Sequence, residues 1–513
     1  MSRESAEGRL PKVFDTVVHM LADAAKRAGN ATALVFEDRQ LTYTEFARCV
    51  GGFASELVTL GARDGRAALI CGNSIEMAIA MFAVHGAGAQ AVPINPIYTA
   101  RELTHILSDS EPTVVVYDQD TAATVEPLLE DLDIPHGVKV GRPEGRLLDT
   151  WRADASAALP EPLPRPDDLA TLQYTGGTTG QPKGVNITHG QMSVNISQRE
   201  AALPTRPDEE RILCVMPLFH VFAAAMCLHL TAYCRGRLII LPRYRPDWVL
   251  ETIQRERITR LPAGPTVFNG LMAYEGFEDT DFSSLRTAYS GSAPLPGETL
   301  KRWQGLTGCP ILEGFGQSEA GPVLTYVAEG REIKPGSVGR PLPLTEVQIV
   351  DVETGTKILG VGERGEIRAR GPQIMSGYRN RPEETAETLR DGWLHTGDIG
   401  EFDAEGDLYI RDRKKDMAIV GGYNVYPREI DEVLYAHSAV LEAAAVGVPD
   451  EYRGEVIKAY VVLKPGAETT AEELMAHCRG QLAKYKAPVS IEFMAEIPKT
   501  TVGKIDKKAL RGG

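Results

Sequence analysis

A chain of 513 residues is too long for one compact core, so two or more domains are expected and a small disulfide scaffold is excluded. Its 55 Lys and Arg against 70 Asp and Glu leave a formal charge of -15, which argues against a broad nucleic-acid-binding surface. Any anionic ligand must then meet a local basic site, and the seven cysteines, with neither CxxC spacing nor histidines at metal-ligand intervals, read as thiols in a reducing compartment.

Phe14, Val17, Val18 and Leu21 recur at helical spacing and predict a surface helix where a signal peptide would show a basic, apolar and small-residue succession. From Ala67 onward short apolar runs alternate with longer amphipathic ones. Ala68 to Ile70, a helical stretch from Ile75 to Val84, Ala91 to Ile94 and Val114 to Val116 predict βα units and a largely parallel sheet. The pattern resumes at Leu238 to Leu241, Arg286 to Tyr289 and Pro310 to Leu312. Proline-rich Pro160 to Pro166 predicts a surface connection between two subdomains. Apolar stretches such as Met77 to Val84 stop well short of the ~20 residues of a membrane span, so a soluble cytoplasmic protein is expected. Around Arg370 the texture changes to short strands, Gly365 to Arg368 and Asp407 to Ile410, followed by the charged cluster Arg411 to Asp416. A boundary there separates residues 1–411, a large α/β domain of several subdomains, from residues 412–513, a small α+β domain.

The most informative segment is Tyr174 to Gly184, which contains Thr175-Gly176-Gly177-Thr178-Thr179-Gly180 and Lys183 directly after a strand-like run. Its glycines let backbone N–H groups converge on phosphate oxygens, its threonines add donors, and Lys183 adds positive charge. Gln181-Pro182 precedes the lysine and no hydroxyl residue follows it, so this is not a Walker A loop. The segment resembles the phosphate-binding signature of the adenylate-forming superfamily, which includes acyl-CoA synthetases, peptide-synthetase adenylation domains and luciferases. The resemblance continues in order through Gly291-Ser292-Ala293-Pro294, Glu313-Gly314-Phe315-Gly316-Gln317-Ser318-Glu319, Gly365-Glu366-Ile367, Trp393 to Asp398, Arg411 to Asp416, Gly421-Gly422-Tyr423-Asn424, and Pro498 to Lys504.

That resemblance implies ATP, Mg²⁺ and coenzyme A as co-reactants, a small-molecule carboxylic acid as substrate, and no nucleic-acid partner; a homodimer is left open. Glu319, with Thr175, is implied to hold Mg²⁺, and the hydroxyls of Ser318, Thr175 and Thr178 to bind phosphate oxygens. The resemblance places Phe315 against adenine, with Gly291 to Ala293 along its edge and Glu313 to Gln317 around it. It gives Asp398 and Arg413 to the ribose beside Ile410. Alone, Glu319 would read as a surface acid, Phe315 as a core aromatic and Asp398 as a turn residue. Lys504 is the implied catalytic cation, although in isolation it belongs to a basic tail with Lys499, Lys507 and Lys508. The resemblance also implies a C-terminal domain that rotates about a hinge at Lys415, replacing Lys504 by a coenzyme A tunnel lined by Gly421, Gly422 and Tyr423.

His220 falls in a segment similar to acyl-CoA synthetases, near the substrate carboxylate. Val221 to Ala224 follow it where amino-acid-activating relatives carry an aspartate, so an ammonium-bearing substrate is disfavoured. Val221, Phe222, Ala224, Val267 and Phe268 are the expected acyl pocket, suited to a hydrophobic acid, with a medium or long fatty acid favoured over an aromatic one. Nothing matches a second anion-binding site for a dicarboxylate, although Arg260 and Arg286 lie close in sequence to pocket segments. An aryl-CoA ligase, an ADP-forming ATPase, a silent adenylate-binding scaffold and a luciferase-like oxygenase are the competing readings.

Overall fold

The computed structural model describes residues 10–141, 148–175, 182–450, 452–500 and 504–512. Two large sheets dominate it. One has seven strands, in the order Gly377–Tyr378, Lys183–Thr188, Leu169–Thr175, Gln90–Pro93, Arg66–Ile70, Val114–Asp118 and His136–Val140. Its inner strands run parallel, and Lys183–Thr188 returns antiparallel to Leu169–Thr175. The other has nine strands, with Ile311–Gly316, Thr287–Ser290, Arg260–Ala263, Arg211–Cys214 and Arg237–Ile240 side by side at its parallel centre. The short apolar runs become strands because helices cover both faces of such sheets, which favours continuous rather than alternating apolar sequence.

The helix Ile75–Gly86 is buried all round, as its lack of a polar face requires, and Ser74 caps its first turn by accepting the Met77 N–H at 3.1 Å. The helix Val17–Ala28 is one-sided, with Val17, Val18, Met20 and Leu21 inward; Phe14 packs on the same core from just ahead of it.

The stretch Pro160 to Pro166 departs from expectation. The strands before and after it, His136–Val140 and Leu169–Thr175, lie in the same sheet, so it does not join two subdomains. It continues a segment that crosses the helix Tyr43–Thr59, where a side chain at Gly51 would stand 2.6 Å from the backbone of Ala158.

Residues 346–413 form a five-stranded antiparallel sheet, whose last strand, Leu408–Arg413, pairs with Trp393–Phe402 and sets Arg413 opposite Asp398. The sequence boundary at residue 412 thus falls inside a strand that ends at Arg413. Beyond it, Ala418–Val420, Tyr423–Val425, Val440–Asp450, Gly454–Leu463 and Ser490–Phe493 make a separate sheet. The helices Pro427–Tyr435 and Ala471–Gln481 cover one face, so this C-terminal unit has an apolar core of its own.

Phe268, expected in the acyl pocket, is fully buried and meets Trp303 edge-on at 5.0 Å between ring centroids. It belongs to an aromatic cluster with Phe277 and Phe282, because the helix Pro265–Met272 turns that face toward Gly297–Thr307. Phe268→Ala is therefore expected to lower stability by about 3–5 kcal/mol. A denaturant titration should show this loss while the ratio of activities on long and short acids stays unchanged.

Candidate active site

The two large sheets and the antiparallel sheet deliver their loops to one region, and the C-terminal unit closes over it. Strand Ile311–Gly316 carries Glu313, Gly314, Phe315 and Gly316, then Gln317 leads into a 3-10 turn over Ser318–Ala320 that presents Ser318 and Glu319. Glu313 is buried, accepts the Leu295 N–H at 2.9 Å, and is pushed up to about 7 by burial against the opposing pull of Arg428. Phe315 is partly buried between the two small clusters of the antiparallel sheet, leaving part of its ring uncovered. The loop from Gly291 to Ala293 follows a central strand, with Ser292 in the left-handed region at φ 69. A side chain at Gly291 would stand 2.8 Å from the Phe222 ring, so glycine is what allows that ring to lie against the loop.

Thr175 ends one strand opposite Lys183, and its hydroxyl donates to the Lys183 carbonyl at 3.4 Å. Gly176, Gly177, Thr178, Thr179 and Gly180 lie outside the described residues, between these two paired strands. The Lys183 ammonium sits 5.1 Å from the centroid of the Tyr378 ring, and the Tyr378 hydroxyl donates to Glu319 Oε1 at 2.8 Å. Tyr378 was not legible as a site residue. It reaches the site because Gly377–Tyr378 adds to the edge of the seven-stranded sheet opposite Val185 and Asn186.

Lys504 joins this group from the far end of the chain. Burial, then Arg413, lowers its ammonium to about 8, while Asp398 and Glu319 act in the opposite sense. Asp398 is buried with Arg413 Nε at 3.4 Å, and burial pushes its carboxyl up to about 6 despite Arg413, Lys504 and Lys415. His220 is lowered to about 3 by burial and by Lys504, so its ring is neutral. Its Nδ1 accepts the Phe222 N–H at 3.2 Å, which leaves the ring proton on Nε2. Ile410 lies at the same seam, its carbonyl accepting from Arg428 Nη1 at 2.7 Å. Arg364 pairs with Glu429 across that seam.

The Gly421 to Tyr423 segment is elsewhere. Gly421 and Gly422 are exposed at φ 58 and 84 with open space where a Cβ would be, and Tyr423 stacks on Tyr485 at 4.7 Å.

Of the expected pocket residues, Val221 and Ala224 line a cavity of ≈ 40 Å³ that also meets Met192, Gln173, Arg199 and His229. Phe222 packs beside it against Gly291, and Val267 and Phe268 do not line it but are buried in the same main core as Phe222 and Ala224. Arg260 and Arg286 are paired with carboxylates, Arg260 to Glu210 at 3.0 Å and Arg286 to Glu209 at 3.4 Å. A larger cavity of ≈ 220 Å³ lies at Tyr326, Arg331 and Lys334 and contains none of the candidates above. Beside it the carboxylates of Asp403, Glu405 and Asp407 converge, but the Lys334 ammonium already occupies that cluster, 2.7 Å from Asp403 and 3.0 Å from Asp407.

The AMP-binding enzyme family model matches residues 21–379, and the model of the AMP-binding enzyme C-terminal domain matches residues 429–504. The chain belongs to the AMP-binding enzyme family. It is 38% identical to a long-chain-fatty-acid–CoA ligase of Bacillus subtilis (strain 168), over 98% of this chain and 95% of the relative. It is 37% identical to a feruloyl-CoA synthase of Amycolatopsis sp, over 95% of this chain and 96% of the relative. The solved structure of the anthranilate CoA ligase AuaEII in complex with anthranoyl-AMP superposes with a TM-score of 0.90 at 29% identity, covering 98% of each chain. Among the described residues no helix is long and apolar enough to cross a membrane.

The lowered Lys504 value makes a direct prediction. The folded protein gives up this proton near pH 8 and the unfolded chain near its ordinary 10.5, so burying Lys504 costs stability at neutral pH. That cost is relieved as pH rises through 8 toward 10.5. Pulse acylation of the native protein, read by peptide mass spectrometry, should give Lys504 a reactivity midpoint near 8. A Lys504 midpoint at the ordinary 10.5 would contradict the burial.

Proposed function

We propose that this AMP-binding enzyme is an acid–CoA ligase. It activates a carboxylic acid with a hydrophobic acyl group as acyl-AMP with release of pyrophosphate, then transfers the acyl group to coenzyme A. The observation that carries this reading is the withdrawn Lys504 ammonium beside Asp398, Arg413 and Glu319, with neutral His220 close by. Carboxylate attack on an α-phosphate brings two anions together, and a cation fixed in advance offsets charge that water would otherwise have to reorganise to meet. Lys504 bridges substrate carboxylate and α-phosphate in this reading. His220 Nε2–H orients the carboxylate, Asp398 accepts from the ribose hydroxyls, and Thr175, Lys183 and Ser318 bind the departing phosphates.

Glu319 and Thr175 suit Mg²⁺, since a hard cation takes carboxylate and hydroxyl oxygen, and the Tyr378 hydroxyl steadies that carboxylate. Bound there, the ion neutralises phosphate charge. Burial of every described cysteine accords with a cytoplasmic enzyme. The unit beyond Lys415 moves about that residue, leaving the strand that ends at Arg413 in place, and rotation exchanges Lys504 for the Gly421 to Tyr423 segment. The Bacillus relative favours a fatty acid and the feruloyl-CoA synthase the aryl alternative; the side chains of Met192, Val221 and Ala224 suit the apolar part of either.

One paired experiment tests the two-step reading. Lys504→Ala should lower pyrophosphate release by roughly 10²–10³-fold or more while leaving thioester formation from supplied acyl-adenylate largely intact. Gly422→Leu should do the reverse, because a side chain there meets open space in the present arrangement and obstructs only after rotation. Equal loss of both steps in either variant would overturn the division of roles.

A further inference from the structure

Arg199 is an anomaly among the buried cations. It lies in the helix His189–Ala202, is 1% exposed, and lines the cavity that begins at Val221 and Ala224 beside His220. The other arginines buried among the described residues have carboxylates at hand, Arg260 with Glu210 at 3.0 Å and Arg428 with Glu432 at 3.7 Å. Arg199 pairs with no described carboxylate. Its Nη1 points at the Met226 sulfur at 2.8 Å, a weak acceptor, and Nε and Nη2 have no hydrogen-bond partner among the described residues. The adjacent Glu200 turns its Oε1 to the Thr205 N–H at 2.9 Å and the Thr205 hydroxyl at 2.8 Å; its Oε2 is buried without a partner and acts on Arg199 only across space, with no ion pair between them. Burial lowers the guanidinium only to about 10, so it remains charged at neutral pH.

The same cavity holds a second unsatisfied group. His229 Nε2 is buried without a partner, and burial, then His85 and Arg199, lowers this ring to about 3, which keeps it neutral. The remaining polar lining is already engaged: Asn195 Nδ2 with the Val323 carbonyl at 2.9 Å, Gln173 Nε2 with the Phe219 carbonyl at 3.4 Å, and Thr171 with His85 at 3.4 Å. Unused donor capacity in an otherwise apolar cavity is thus concentrated at Arg199 and His229. A buried charge without a counter-ion is costly, and a ligand that brings the counter-ion removes that cost. The alternative sources of charge considered from sequence, Arg260 and Arg286, are excluded by their own ion pairs.

We propose that Arg199, with His229, receives a second carboxylate at the far end of the acyl chain, so that the preferred substrates are ω-carboxylated acids. One carboxylate faces Lys504 and His220 and reacts; the other pairs with Arg199 and stays intact. Arg199 is a specificity-determining residue, remote from the bond that forms. This inference rests on the acid–CoA ligase reading and deepens it by naming the substrate class.

The test is a pyrophosphate-release series with ATP and coenzyme A, from succinate to dodecanedioate, each acid matched with the monocarboxylate of equal chain length. The wild-type enzyme should favour the diacid of at least one length by roughly 30-fold or more in kcat/KM, the scale on which truncating one partner of a buried charge pair is felt. Arg199→Met should invert that preference while leaving the KM for ATP unchanged. A wild-type enzyme that favours the monocarboxylate at every length overturns the proposal without needing the variant to fold, as does a folded Arg199→Met enzyme with an unchanged ratio. Absence of acid-dependent pyrophosphate release with any acid would instead refute the ligase reading itself.

Discussion

The structure depends on holding one ammonium, that of Lys504, against the carboxylates of Asp398 and Glu319 and the guanidinium of Arg413. These groups come from three parts of the chain, and they meet only when the C-terminal unit is seated on the antiparallel sheet. The seating is electrostatic and partial. Arg364 pairs with Glu429, the Arg428 backbone N–H donates to Asp412 at 3.0 Å, and Arg428 Nη1 donates to the Ile410 carbonyl at 2.7 Å. Such a seam, built from ion pairs and hydrogen bonds beside separately packed cores, suits the proposed rotation of this unit, because polar interfaces exchange protein contacts for water at small net cost.

The charges at the centre are arranged so that neighbours oppose one another. Burial lifts Asp398 and lowers Lys504, and each is partly restored by the other. Near neutral pH both remain mainly ionised, yet neither is far from its titration, a condition often found where charge is to be handed to a ligand. The acidic balance of the whole chain does not prevent this, because the basic groups that matter are local.

The central strands were legible because parallel strands covered on both faces carry unbroken apolar runs, as at Ala68 to Ile70 and Val114 to Val116. The residues proposed to face the nucleotide were singled out through an ordered series of short motifs, since loops at strand ends need particular glycines and polar side chains. Other features depend on distant pairings that local pattern does not encode. Phe268 looked like a pocket residue until Trp303 was found against it. Tyr378 enters through a two-residue edge strand, and the Pro160 to Pro166 stretch looked like a domain gap although its flanking strands share one sheet. Arg199 is an ordinary charged residue at a helical position; its burial follows from which face of that helix meets Met226, and only the assembled packing reveals that it has no counter-ion.

The claim that these groups join a carboxylate to the α-phosphate of ATP is tested most directly by isotope transfer. The enzyme would be given ATP, coenzyme A and a substrate acid labelled with ¹⁸O in both carboxylate oxygens, and the nucleotide product analysed by mass spectrometry. Attack by the carboxylate on the α-phosphate followed by thioester formation leaves one labelled oxygen in AMP. The account predicts that result, with no label in pyrophosphate. Unlabelled AMP, or label appearing in inorganic phosphate alongside ADP, would contradict it.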